Sequence, residues 1–166
     1  MRIFISHASQ DAEHARKLAE SLRKRNVEAL FSESDQPAEV ALDEAASRAD
    51  AFVFLIGREA GTERRQELEW RSAVRSQWDP KPMVPVQVDA AALPPFLRHR
   101  TDVRLRPGSV DYDRIASRVL YLIEHPDKAI KKGALERAQA EQRNRFEVIE
   151  QYAIALQEAA AKERIL

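Results

Sequence analysis

Three glutamates around the start of one predicted helix are the side chains in this sequence best placed to do chemistry. Glu63, Glu67 and Glu69 precede or begin a helix predicted over residues 64–78, whose apolar stripe consists of Trp70, Ala73, Val74 and Trp78. At about 100° per residue, Glu63 and Glu67 lie on or beside this stripe and point toward the sheet, whereas Glu69 points roughly a quarter turn away, toward solvent. An inward carboxylate in the first turns of such a helix is a candidate catalytic group.

An ordinary structural role also explains these carboxylates. Acidic side chains near a helix N-terminus are stabilised by the helix dipole. Arg64, Arg65 and Arg71 are close enough in sequence to pair with them. Spacing alone therefore leaves both the catalytic and the structural interpretation open.

Several other kinds of chemistry lack the residues that they need. The chain has no cysteine, which excludes disulfides, thiolate catalysis and cysteine-ligated zinc. Its four glycines do not form a glycine-rich phosphate loop, and its four histidines show no metal-ligand spacing, so we predict no metal site. Ser6, His7 and Ser9 share a predicted loop, where such residues cap helices more often than they form a hydrolase triad, and Ser9 is the predicted N-cap.

Apolar runs alternate with helical periodicity over the first 125 residues. Strands are predicted at 2–5, 27–31, 51–56, 83–88 and 102–105, with helices between them and after the last. Pro85 moves the fourth strand toward an edge or an irregular position. The alternation predicts an α/β fold with a doubly wound parallel sheet. Because ligands bind beyond the carboxyl ends of such strands, functional residues are expected in the loops after Ile5, Phe31, Ile56 and Val88.

The net charge and the hydropathy of the chain indicate which cellular compartment and which binding partners to expect. Lysine plus arginine and aspartate plus glutamate each total 27, so the formal net charge of the 166 residues is zero. A neutral chain gives no electrostatic argument for binding nucleic acid or an acidic membrane surface. The longest apolar run, 51–57, is far too short to cross a bilayer, and residues 1–7 lack the apolar segment of a signal peptide. We therefore expect a soluble, cytoplasmic protein without direct contact to nucleic acid or membrane.

The sequence pattern changes after Pro126. The remaining residues contain no proline and only Gly133, and strong helix formers dominate. A seam with alternating spacings of four and three residues consists of Gln142, Phe146, Ile149, Ala153, Leu156 and Ala160. This predicts one domain at 1–125 and a helical extension or connector at 126–166. Three alternatives stay open: the helix packs on its own domain, it connects to a partner chain or a fused domain, or it forms a coiled coil, which so few heptads favour least.

Five segments, in order, resemble the bacterial type of Toll/interleukin-1 receptor (TIR) domain. Residues 3–11 and 15–22 are similar to its opening strand, loop and helix, and residues 47–56 to its third strand with the lead-in. Residues 65–70, Arg-Gln-Glu-Leu-Glu-Trp, resemble its helix with a Glu-Leu-Glu-Trp core, and residues 83–94 resemble its fourth strand. The resemblance covers about residues 1–123 and implies a flavodoxin-like, five-stranded parallel sheet.

The same resemblance implies a substrate site. Many family members cleave the nicotinamide–ribose bond of NAD, and their catalytic glutamate lies four residues after a tryptophan early in the third helix. Alignment of the shared core places it at Glu67. The implied substrate-binding residues are Phe4, Ser6, His7, Ser9, Phe31, Ser32, Asp35, Glu63 and Trp70. Glu63 stands where the family often has the tryptophan, and residues 32–37 lack the Pro-Gly turn of a loop that in relatives mediates assembly and gates the site.

The implied function is a TIR-domain NAD glycohydrolase that is an effector of bacterial immunity and is activated by assembly. NAD is then the substrate, no cofactor is needed, and the product is cyclic or linear. Other family members only bind one another, so a non-enzymatic signalling module is the alternative, and Glu63 and the altered loop favour it. A nucleoside-processing enzyme of the deoxyribosyltransferase kind is a second alternative. The expected partners are NAD, further copies of the TIR domain, and a chain or fused domain at residues 126–166.

Overall fold

Five strands form one parallel sheet in the computed structural model, which describes residues 1–31, 39–75, 81–106, 108 and 110–163. The strands are β1 (Arg2–Ser6), β2 (Glu28–Leu30), β3 (Ala51–Ile56), β4 (Met83–Val88) and β5 (Val103–Leu105). Their order is β2-β1-β3-β4-β5, and every neighbouring pair is parallel. The predicted five-stranded parallel sheet is confirmed, and its order is that of flavodoxin-like folds.

Within the described residues, five α-helices connect or follow the strands. They are α1 (Ala12–Arg23), α2 (Glu39–Arg48), α3 (Arg64–Arg75), α4 (Tyr112–Glu124) and α5 (Ala134–Glu163). Single 3₁₀ turns cover Ser9–Asp11 and Pro95–Leu97. The predicted Trp78 end of the third helix lies outside the described residues.

The strand period of two divides the core between the two faces of the sheet. Ile3 and Ile5 of β1 pack in the same apolar cluster as side chains of α1 and α4. Phe4 packs in a second cluster with side chains of α2 and α3. Ser6 is the next even position of β1, so its side chain must face the α2–α3 side. This alternation aims the polar end of β1 at α3.

The sequence predicted from Pro85 that β4 occupies an edge or an irregular position, but β4 is not at an edge of the sheet. β4 lies between β3 and β5, and Pro85 is in register with Phe54 of β3. The expectation was wrong because β5 is short: it pairs only with Val86–Val88 of β4. At Pro85 no strand on the β5 side requires the N–H that proline lacks.

Ser9 is not the N-cap of α1. It begins the 3₁₀ turn, and the N-cap position of α1 is Asp11, whose side chain makes no capping hydrogen bond. The Ser9 side chain instead contacts α3, as described below. The prediction failed because a distant carboxylate competes for the Ser9 hydroxyl.

The chain divides into two compact units, Met1–Ile130 and Lys131–Leu166. The second unit consists largely of α5, a helix of 30 residues. Its seam residues Phe146, Ile149 and Leu156 are 64%, 64% and 59% exposed.

Candidate functional site

The site begins at the carboxyl end of β1, next to β3. In an order of β2-β1-β3, the chain connections leave β1 toward opposite faces, which makes the β1–β3 junction the switch point where such sheets bind ligands. Ser6 is the last residue of β1 and is in register with Phe54 of β3. Ser6 is 1% exposed, so a polar side chain is buried at the position where the fold favours a site.

Glu69 of α3 meets Ser6 at this junction. The Ser6 hydroxyl donates to Glu69 Oε2 over 2.5 Å, and Arg65 Nη1 donates to Glu69 Oε1 over 3.1 Å. The Glu69 side chain is 1% exposed. Burial raises the pKa of Glu69, while the Ser6 hydrogen bond and the Arg65 charge act in the opposite direction. The result is a buried carboxylate held by one hydroxyl and one guanidinium.

Arg65 ties this carboxylate to the loop after β1. Its Nη2 donates to the His7 carbonyl oxygen over 2.8 Å and lies 3.6 Å from Glu63 Oε2. The Arg65 side chain is 6% exposed, which is rare for a cation unless it is paired. Arg65 therefore links Glu69, the His7 backbone and Glu63.

The structure brings together Glu63 and Ser9, two predicted residues of the site, and they are hydrogen-bonded to each other. Glu63 accepts hydrogen bonds from the Ser9 backbone N–H at 2.8 Å and from the Ser9 hydroxyl at 2.9 Å. The backbone hydrogen bond from Ser9 is the main reason that the pKa of Glu63 is lowered. Glu63 thus fastens the loop after β1 to the start of α3.

The predicted orientations of Glu67 and Glu69 were wrong. Glu67 has a 40% exposed side chain and forms surface ion pairs with Arg71 at 2.6 Å and Arg64 at 3.7 Å. Glu69, expected in solvent, is the inward carboxylate. The error came from the phase of the helix: the buried residues of α3 are Arg65, Gln66, Leu68, Glu69, Ser72 and Ala73. Their arc is rotated by about 130° from the assumed apolar stripe.

The predicted aromatic residues pack against other rings. Phe4 is 4% exposed, and its ring centroid lies 6.3 Å from that of Phe52. His7 meets Phe31 edge to face at 5.9 Å, and burial lowers the pKa of His7. Their contribution to substrate binding stays a prediction. Ser32 and Asp35 lie outside the described residues.

Trp70, the remaining predicted residue, packs beside the loop before α3. Its ring lies 5.4 Å from that of Phe96, and Gly61 touches it so closely that a Cβ on Gly61 would come within 2.7 Å. Gly61 also has a φ of +79°, so both its backbone and its neighbour require glycine. Trp70 Nε1 is buried without a hydrogen-bond partner among the described residues.

Sequence reasoning missed the polar character of the inner face of α3. Gln66 is fully buried; its Oε1 accepts from the Gly61 N–H at 2.8 Å and its Nε2 donates to the Leu55 carbonyl at 3.4 Å. Ser72 donates to Asp43 over 2.6 Å. The signal was present as polar residues at 65, 69 and 72, spaced four and three apart. The nearby apolar residues Trp70 and Val74 instead suggested that another face of the helix is buried.

Glu69 is an acceptor for a hydroxyl group, as its contact with Ser6 shows. A cavity of about 10 Å³ adjoins Glu69 and is also lined by Phe4, Phe52 and Ser72, which is room for about one water molecule. Ser6 occupies one carboxylate oxygen with the kind of donor, an O–H, that a sugar would present. An ionised Glu69 can bind such a hydroxyl or stabilise positive charge close to it.

Two other properties bear on the site's chemistry. Within the described residues, no group of three or more histidines or carboxylates is arranged to hold a metal ion. None of the helices in that part of the chain has both the length and the apolarity needed to cross a bilayer.

Comparison with known proteins gives one family. The model of the TIR domain family matches residues 3–120, a span that includes β1 from Ile3 onward, the other four strands, the Ser6–Glu69 contact and most of α4. A search of curated proteins finds no match.

Proposed function

Since the chain belongs to the TIR domain family, we propose that it is a NAD glycohydrolase in which Glu69, not Glu67, is the catalytic carboxylate. The observation that carries this assignment is the buried Ser6–Glu69–Arg65 cluster at the β1–β3 switch point. Glu67 projects to the surface and binds Arg71 and Arg64. Of the two carboxylates, only Glu69 lies at the end of β1, and this position supports its assignment to the family chemistry.

The reaction needs a stabilised cation more than it needs an acid. The bond between C1′ of the ribose and nicotinamide breaks with its electron pair going to the ring nitrogen, so nicotinamide leaves as a neutral molecule. C1′ is left with oxocarbenium character, which a carboxylate stabilises. Water then adds to C1′ and releases a proton to solvent, giving ADP-ribose. Attack by an atom of the same molecule gives the cyclic product instead.

To stabilise the cation, Glu69 exchanges one of its two hydrogen-bond donors for a donor of the substrate. A ribose hydroxyl replaces the Ser6 hydroxyl on Oε2, while Arg65 stays on Oε1, where it orients the carboxylate and its charge opposes the rise in pKa that burial causes. Glu63 is a positioning residue, because it holds Ser9 and the loop after β1 against the start of α3. His7 and Phe31 pack edge to face after the ends of β1 and β2, and in this proposal they line one side of the substrate site.

The biological setting follows the same family expectation. We place the enzyme in the cytoplasm as an immune effector of bacterial type, with activity switched on when TIR domains associate. Residues 126–166 connect the domain to a partner chain or a fused domain.

The decisive experiment compares two glutamates that are two residues apart on one helix. Wild type, Glu69→Gln and Glu67→Gln are incubated with NAD at high protein concentration, and nicotinamide is measured by chromatography. Glu69→Gln should lose at least about a hundredfold in rate, and Glu67→Gln should keep nearly the wild-type rate. Circular dichroism shows whether each variant is folded. A folded Glu69→Gln protein with full activity would refute the assignment, and an inactive Glu67→Gln would return it to Glu67.

A non-enzymatic interaction module is the second candidate, and one observation favours it. Both oxygens of Glu69 are occupied by Ser6 and Arg65, and its side chain is 1% exposed. In a module that only associates, this cluster is structural. The absence of nicotinamide release by folded wild type, at concentrations where light scattering shows association, would establish this alternative.

A further inference from the structure

A groove follows the edge strand β5. Its volume is about 720 Å³, and its walls are residues 102–106, which include β5, and residues of α4. β5 is the last strand of the sheet, and in the described part of the chain it pairs with β4 alone. The backbone N–H and C=O groups on the other side of β5 can therefore accept a further strand.

The strand side of this groove contributes two arginines. Val103 and Leu105 of β5 are buried in the apolar cluster that also contains side chains of α4. Because side chains alternate along a strand, Arg104 between them projects from the opposite face, where it is exposed. Its Nε pairs with Asp102 at 3.1 Å. Arg106 follows β5 directly, lines the same groove and is exposed.

The helix side contributes two more arginines. Arg114 and Arg118 line the groove about one helical turn apart, and both are exposed. Asp111 accepts a hydrogen bond from the Arg114 backbone N–H at 3.1 Å, and the Arg118 guanidinium lies 5.2 Å from the centroid of the Tyr121 ring. Among the described residues, no carboxylate forms an ion pair with Arg106, Arg114 or Arg118. Three guanidinium groups in the groove therefore keep an uncompensated charge.

Two roles explain arginines beside an open strand edge. Charged side chains prevent an edge strand from pairing with the sheet of another molecule. They also attract and orient a segment of the opposite charge. Protection requires charge alone, whereas this edge also has a cavity beside it that is large enough for a ligand. The wall of that cavity includes the apolar side chains of Val110 and Ile115, so the groove favours the second role.

We propose that the groove binds an acidic, extended segment of a partner protein by strand addition. The backbone of the segment pairs with the open edge of β5. Because neighbouring side chains of a strand point to opposite faces, consecutive acidic residues reach Arg104 on one face and Arg114 and Arg118 on the other. β5 has three residues, so the backbone pairing is short and the charge contacts supply the remaining affinity. The proposal does not depend on NAD cleavage, since neither Ser6 nor Glu69 lines the groove.

The experiment uses fluorescence anisotropy with the full chain and a labelled synthetic peptide of four consecutive glutamates between valines. The peptide should bind one-to-one, and more weakly as salt rises. The same peptide with every glutamate nitrogen methylated keeps its charge but cannot donate backbone hydrogen bonds. It should bind at least about tenfold more weakly, which corresponds to one or two lost hydrogen bonds. A labelled oligothymidine of equal charge tests whether any polyanion binds as well.

Two double variants test the position of the peptide. Arg114→Ala/Arg118→Ala should weaken peptide binding by about tenfold, because each exposed ion pair contributes up to about 1 kcal/mol. Arg23→Ala/Arg143→Ala is the matched control, since it removes two exposed arginines that do not line the groove.

Three results would overturn the proposal. No binding of the glutamate peptide at millimolar concentration is the first. Equal affinity for the methylated peptide or for the oligothymidine is the second, because the groove would then recognise charge alone. The third is an Arg114→Ala/Arg118→Ala protein that aggregates but binds the peptide as wild type does, which would assign these arginines to protection of the edge. If this variant is unfolded by circular dichroism, the comparison of the two peptides on wild type still decides.

Discussion

Removal of the Glu69 carboxylate should destabilise the domain far more than removal of Glu67. In Glu69→Ala the Arg65 guanidinium stays buried and keeps only the His7 carbonyl at 2.8 Å and Glu63 at 3.6 Å. Breaking a buried ion pair by deleting one partner costs about 3–5 kcal/mol. Glu63 is 32% exposed and compensates part of the charge, which favours the lower end. The Ser6 hydroxyl also loses its acceptor, worth about 1 kcal/mol.

The expected loss is therefore about 3–4 kcal/mol, a large share of the about 5–15 kcal/mol that stabilises a typical domain. Urea unfolding followed by tryptophan fluorescence measures it, since Trp70 lies on the same helix. The matched control is Glu67→Ala, which removes the same group from a 40% exposed side chain. Exposed ion pairs contribute about 0–1 kcal/mol, so this variant should unfold close to wild type.

The double variant Arg65→Leu/Glu69→Leu separates the cost of an unpaired buried charge from the cost of lost packing. It removes both charges together, so it should regain much of the stability lost in Glu69→Ala. A Glu69→Ala protein that loses under about 1 kcal/mol would refute the reasoning, because exposed pairs contribute that much. So would equal losses for the two alanine variants, since the described difference in burial would then have no energetic consequence.

Three further predictions concern pH, packing and assembly. Because burial raises the pKa of Glu69 and only its ionised form stabilises a cation, nicotinamide release should fall on acidification through a pKa above that of an ordinary glutamate, as a pH–rate profile will show. Gly57→Ala should lose about 1–3 kcal/mol in urea unfolding because its Cβ meets the Asp11 carboxyl group, and Gly57→Ala/Asp11→Ala should recover part of it. Light scattering should show a monomer or weak dimer whose association falls in Phe146→Glu/Leu156→Glu, since both side chains are exposed; a tight oligomer unchanged by these charges would remove α5 from assembly.

The sheet was predictable because its signals are local. The continuous apolar run at Ala51–Ile56 became β3, buried at every position, and alternation with helices fixed the parallel arrangement. The prediction from Pro85 was wrong because the length of the neighbouring strand β5 decides whether the N–H that Pro85 lacks would have a partner. Nothing near Pro85 in the sequence carries that information.

The candidate site was only partly predictable, since its members are joined across long sequence separations. The sequence placed Ser6 in the loop directly after the first strand, whereas Ser6 is the last residue of β1, and its partner Glu69 lies 63 residues later. Likewise, Ser9 meets Glu63 at a separation of 54 residues. Capping propensity described Ser9 alone and could not include a competing carboxylate from α3. The family resemblance pointed to Glu67, whereas the buried carboxylate on that helix is Glu69.

The inner face of α3 explains why the choice of glutamate was difficult. Amphipathic periodicity assumes that the buried stripe of a helix is apolar, yet α3 buries Arg65, Gln66, Glu69 and Ser72. Each has a hydrogen-bond partner, as buried polar groups require. Apolar residues of similar volume would often be at least as stable there, so stability alone gives no reason for this polar stripe. Its buried carboxylate faces the end of β1, where parallel sheets bind their ligands. A charge that stability does not require therefore lies at a position that favours ligand binding. This is the strongest structural reason to test Glu69 first.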